Sequence, residues 1–156
     1  MPLLLGLLED SRTPFRKHGL ELTDLFIHRC PAYILRDSGI VELLEDVIFP
    51  TLHFLPAQTG EVESLQLLEP AYRSLVALAH VSFDRELDLP RKRRLLDRLL
   101  KDAVFLSYAH SSEYTSIVGF LARQAGIITD ELGIYAAKHL KVRLLPCQGA
   151  PILSPH

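Results

Sequence analysis

Residues 61–79, Glu61-Val-Glu-Ser-Leu-Gln-Leu-Leu-Glu-Pro-Ala-Tyr-Arg-Ser-Leu-Val-Ala-Leu-Ala79, decide the fold class. Leu65, Leu68, Tyr72, Leu75 and Ala79 recur at steps of three and four, which places them on one face of a helix. Glu61 and Glu63 stand in the first turn, where acidic groups suit the helix dipole. Thr59 is the expected start, and Pro56-Ala-Gln-Thr-Gly60 reads as a loop before it. Pro70 falls inside the pattern and should kink the helix, because it lacks an N–H and crowds the preceding turn.

The same period extends in both directions. Upstream, Ser38-Gly39 opens a segment over 39–55 with Ile40, Leu43, Leu44, Val47 and Ile48 on one face, continued past Pro50 by Leu52 and Leu55. Before it, Thr13-Pro14 is a helix start, a capping hydroxyl followed by proline. The helix spans 14–30 with Phe15, Gly19, Leu22 and Phe26 as its stripe, and ends at Cys30-Pro31. Short helices are expected over 2–9 and 32–36. Downstream, Pro90 opens a helix over 90–109 that carries Leu95, Leu96, Leu99, Ala103 and Leu106. Ser111-Ser112 is expected to cap another over 112–130, with Tyr114, Ile117, Val118, Leu121, Ala125 and Ile128. Gly133 stops it, and Ile134–Leu145 reads as a last helix. The tail from Pro146 has no period and is expected to be disordered, leaving residues 1–145 as one domain.

These readings predict an all-α chain of antiparallel helix pairs. Several helices are apolar on more than one side, as in Leu25-Phe26-Ile27 and Ala103 to Leu106, which suits helices flanked on both sides. Long paired helices with internal prolines fit a HEAT-like α-solenoid. A compact helical bundle is the alternative.

Composition agrees and excludes several classes. The chain has 156 residues, 48% hydrophobic and 23% charged, so it can bury a core. Trp and Asn are absent and leucine dominates, which favours helix over strand. A net charge of -2 argues against a nucleic-acid binder. Met1 to Leu8 lacks a basic start, and Glu9-Asp10 stand where small cleavage-site residues would belong, so a signal peptide is not expected. The apolar run also falls short of the roughly 20 residues that span a bilayer. The expected setting is intracellular, cytoplasmic or nuclear, with no membrane. Cys30 and Cys147 lie outside any paired spacing and read as idle thiols in a reducing compartment.

Little in the sequence argues for chemistry. Seven histidines are present, but no H-E-x-x-H and no His/Cys cluster with ligand spacing. His110 and Glu113 stand three apart, and His139 has Lys138 and Lys141 as neighbours. Ser107, Ser111, Ser112 and Ser116 lack a nucleophile-elbow context, and no glycine-rich phosphate loop occurs. No catalytic residue, cofactor or metal ligand is therefore assigned, and the chain is not expected to be an enzyme.

Charge patterning is more informative. From Asp37 to Tyr72 the chain carries Asp37, Glu42, Glu45, Asp46, Glu61, Glu63 and Glu69 with no Lys or Arg. Arg91-Lys92-Arg93-Arg94 then follows. Arg91, Arg94, Arg98 and Lys101 are spaced by three, four and three, which makes one basic stripe on a helix. Cations near a helix start oppose its dipole, so the stripe is a candidate partner-binding surface. A solvated face softened by Asp84, Glu86 and Asp88 is the plain alternative, and a nucleic-acid patch a lesser one. Pairing with the acidic run inside the chain is the rival explanation.

Several stretches carry a family resemblance: Pro2 to Asp10, Phe15 to Leu22, Glu45 to Leu52, Glu63 to Leu68, Ala71 to Leu78 and Leu132 to Leu140. Over residues 2–145 the chain resembles the Tel-two-interacting protein two family, in its fungal form. The resemblance rests on helix-core and turn residues, and no functional residue is carried over from it. It implies part of an α-solenoid subunit of the TTT complex, which acts with the Hsp90 system in maturing phosphatidylinositol-3-kinase-related kinases. The implied partners are the other TTT subunits and the Hsp90 system, in DNA-damage and nutrient signalling.

The sequence thus predicts a non-catalytic protein-binding scaffold. A general armadillo/HEAT-type adaptor of another assembly is the second reading, and a helical enzyme the third. The apolar helix at 2–9, with Tyr135, Leu140 and Leu144, has no evident covering partner, so self-association of the isolated chain is expected.

Overall fold

Every regular element among the described residues is helical, as the periodicities require. The structure is a computed structural model that describes residues 1–56, 60–83 and 85–139. In chain order the α-helices are α1 (Pro2–Leu8), α2 (Thr13–Arg29), α3 (Ala32–Asp37), α4 (Ile40–Ile48), α5 (Glu61–Ser82), α6 (Leu89–Arg98), α7 (Leu106–Ser111) and α8 (Thr115–Leu132). A π-helical stretch, Leu99–Phe105, joins α6 to α7, and 3-10 turns cover Phe49–His53, Glu86–Asp88 and Gly133–His139. The expected final helix over 134–145 is a 3-10 turn as far as His139, and the rest of it lies outside the described residues, as do Thr59, Asp84, Cys147 and the tail from Pro146.

The helix quoted first is the centre of the molecule. α5 packs along α2 and also meets α3, α4, α6, α8 and the 49–53 turn. Leu67, Leu68, Tyr72, Leu75 and Leu78 are buried on it, on more than one side. Each such leucine contributes about 1.5–3 kcal/mol by leaving water. That packing carries a single α-helix through Pro70, which cannot donate to the Gln66 carbonyl.

The contacts also fix direction. Lys17 and Glu21 of α2 lie beside Val62 to Arg73, and Asp24 and His28 beside Glu69 to Val81, so α2 and α5 run in the same sense. Tyr72 meets Phe120 edge-on at 5.5 Å, and His80 meets Glu131, so α8 runs the same way. Arg91 pairs with Glu42, Arg98 with Glu45, and the Ser107 hydroxyl donates to the Leu52 carbonyl, so α4 and the α6–α7 rod are likewise parallel.

Several expectations are corrected. The helix begun near Ser38 ends at Ile48, and Pro50 opens a 3-10 turn, because its ring cannot continue the α ladder. Thr13 is the first helical residue and Arg12 the cap. Ser111 closes α7, and the next helix is preceded by Tyr114. On α2 the buried face is Gly19, Leu20, Thr23 and Ile27, while Phe15 and Leu22 are exposed. A helix apolar on two sides leaves that choice to its neighbours, and small Gly19 admits the close approach of α1. Leu106 is 44% exposed and Ser107 is buried instead. The π stretch adds a residue to the turn, which rotates the following positions by about 100°.

Candidate protein-binding surface

The run from Arg91 to Arg94 opens α6, where successive side chains leave the axis about 100° apart. Each therefore meets a different neighbour. Arg91 pairs with Glu42 on α4, and its guanidinium lies 5.1 Å from the centre of the Phe83 ring. Lys92 reaches α8, with its ammonium 3.0 Å from the Glu131 carboxylate, and donates to His80 Nδ1 at 3.2 Å. Arg93 stacks on Tyr135 at 3.6 Å. Arg94 stays exposed.

One turn on, Arg98 lies 3.9 Å from Glu45 and 3.8 Å over the Phe49 ring. Lys101, in the π stretch, is exposed and has no ion pair among the described residues. The predicted stripe is thus split. Arg91 and Arg98 reach back to the acidic run on α4, and Arg94 and Lys101 face solvent. Exposed pairs of this kind contribute about 0–1 kcal/mol, and a cation over a ring about 0.5–1 kcal/mol. These contacts offset the unfavourable charge at the helix start.

Burial pushes the Glu45 carboxyl above its ordinary value, and Arg98 and Arg94 only partly counter it. Asp97, on the same helix as the stripe, behaves differently. Burial pushes it up, but hydrogen bonds and charge from Lys138, at 2.7 Å, and His139 outweigh that and hold it below the ordinary range. Asp97 thereby ties α6 to the 133–139 turn.

Sequence reading singled out the stripe but missed Lys92, Arg93 and Asp97. The signal was available, since four consecutive cations on a helix cannot share one face. Their partners, Glu131, Tyr135 and His139, lie too far along the chain to be matched to them by spacing.

The histidines do not converge: His110 is exposed, His80 bridges Lys92 and Glu131, and His139 meets Asp97. Among the described residues no three His, Cys, Asp or Glu side chains are placed to hold a metal. Cys30 is a free, half-buried thiol. No helix among the described residues is long and apolar enough to cross a membrane. What the surface offers is charge and ring contacts across helices, with the exposed Arg94 and Lys101 beside them.

A family model described as the Tti2 family matches residues 1–156, the whole length of this chain. No curated protein and no solved structure matches it.

Proposed function

The chain belongs to the Tti2 family, and from that premise we propose that it is a non-catalytic, intracellular protein-binding scaffold of the TTT complex. In that role it works with the Hsp90 system in maturing phosphatidylinositol-3-kinase-related kinases. The family match along the entire chain is the observation that carries the proposal.

The helix arrangement supports a HEAT-like stack as the means. α2, α5 and α8 run in one sense and form one layer. α4 with its 3-10 turn and the α6–α7 rod form the second. The chain alternates between layers, and α2, α5 and α8 begin at Thr13, Glu61 and Thr115, roughly every 50 residues. HEAT-type repeats recur about every 40–47 residues. Such stacks bury one face of each helix pair and present the other to partners.

Of the basic stripe, Arg94 and Lys101 serve the partner in this reading, while Arg91 and Arg98 brace the layers. Depleting the protein in cells that make it should lower the steady-state amount of these kinases, with recovery on re-expression. Unchanged kinase levels after complete depletion would contradict the proposal.

A further inference from the structure

α5 forms the floor of a groove walled by α2, with Gln124 and Ile127 of α8 lining its second half. The groove has two chambers of about 400 and 590 Å³ that share Glu69 and Arg73. Arg73 crosses to Asp24 at 3.3 Å and marks the division between them. From Val62 to Val81 the floor runs roughly 28 Å at the rise of an α-helix, the length of about five turns.

The α5 floor is mainly apolar toward its two ends, with Glu69 and Arg73 in the middle. Lys17 and Glu21 stand on the α2 wall at one end, and His80 beside Val81 at the other. Val62 is 72% exposed at one end and Ile127 46% exposed at the other. Leu65, Val76 and Val81 add apolar side chains along the α5 floor. The other charges along the walls are matched: Lys17 and His18 lie near Glu21, and Arg73 and His28 near Asp24. Glu69 is the exception. It lines both chambers, is exposed, and has no hydrogen bond or ion pair among the described residues. Gln66 and Pro70 flank it on the same floor, and Pro70 cannot serve the Gln66 carbonyl. The middle of the groove therefore holds an unmatched carboxylate beside a main-chain acceptor that has lost its helical donor. A cation that donates hydrogen bonds answers both, and the apolar ends call for apolar side chains either side of it.

We propose that this groove docks an amphipathic helix of a protein partner, its apolar side chains seated toward Val62 and Ile127 and one lysine or arginine against Glu69. Anchors at helical spacing along a groove are a recurrent mode of recognition. The central charge fixes register, because a helix displaced by one turn would lay apolar surface on Glu69. The proposal rests on the protein-binding reading above, and its test separates the two.

The full chain, with photoreactive benzoylphenylalanine in place of Val62 or of Ile127, is co-expressed with the other TTT subunits and irradiated. Both positions should capture one segment of one subunit, in which a lysine or arginine is flanked by apolar residues at helical spacing. Glu69→Lys should weaken assembly about tenfold or more through like-charge contact, with Glu69→Gln intermediate. Replacing the captured cation by glutamate should restore binding to Glu69→Lys. Glu69 is exposed and unpaired, so both variants should melt like the parent. Capture of this chain's own residues 140–156, capture of a second copy, or unaltered assembly of Glu69→Lys would overturn the groove proposal while leaving the scaffold reading intact. A folded parent chain that joins none of the subunits would overturn both.

Discussion

Two helix pairings in this molecule are built on different physics. α2 lies along α5 with Leu20, Thr23 and Ile27 buried, and Ser74 donates to the Leu20 carbonyl at 3.3 Å. α4 and α6 are joined by long charged side chains, Glu42 to Arg91 and Glu45 to Arg98. The first pairing depends on size and exclusion of water. The second depends on charges that water also solvates. A change of one methyl group should therefore be felt at the first, while removal of a whole charge is tolerated at the second.

The largest expected effect is at the centre. Leu75 of α5 is fully buried, and Leu75→Ala should cost about 2–5 kcal/mol from lost transfer energy and the cavity left behind. Chemical denaturation measures it. A cost below about 1 kcal/mol would show that α5 is not the core helix, since truncating a well-packed leucine costs more than that.

Gly19 gives a sharper test of close approach. A Cβ built there would stand 3.0 Å from the main chain of Leu7 and Leu8 on α1. Gly19→Ala should lose about 1–3 kcal/mol from overpacking, against a helix-propensity gain of about 1 kcal/mol. Hydrogen exchange should speed up in α1 and stay unchanged in α5. A variant more stable than the parent would mean that α1 does not rest on that glycine.

At the charged pairing, a double-mutant cycle on Glu42→Gln and Arg91→Gln should return a coupling no larger than about 1 kcal/mol, fading with added salt. A coupling of several kcal/mol would erase the contrast between the two regions.

The smallest effects are in pH dependence, where two carboxyls on this side of the molecule have opposite signs. Asp97 titrates below its ordinary 3.8 when folded. Its contribution is complete above that value and is lost as pH falls through the folded-state pKa. Glu45 titrates above its ordinary 4.5 when folded. Its ionised form costs stability near neutrality, and that cost disappears as pH falls through the raised pKa toward 4.5. Asp97→Asn should flatten the stability curve at its acid end, and Glu45→Gln should flatten it just above 4.5. Melting temperatures across an acid series test both, and curves that coincide with the parent would refute the assigned environments.

The sequence displays these regions unequally. Helix existence was legible almost throughout, since each long segment repeats apolar residues at helical steps and proline or glycine marks most breaks. Which side of α2 is buried was not, because Phe15 and Leu22 compete with Leu20 and Ile27, and only the position of α5 decides. The π stretch was hidden for a related reason. Leu99, Leu100, Ala103 and Val104 are all buried, so the pattern there is apolar whichever ladder the backbone uses. The acidic run and the basic stripe were visible as complementary charge, and two members of the stripe do meet that run. Glu69 looked like one more acid of the run, and only α2 and α8 standing beside α5 reveal that it is unmatched within a groove.

The measurement that bears most directly on the scaffold account is light scattering on a size-exclusion column, with this chain purified together with the other TTT subunits. The account predicts one species whose mass includes this chain and which persists on dilution. A folded, helical chain that elutes apart from those subunits under the same conditions would contradict it.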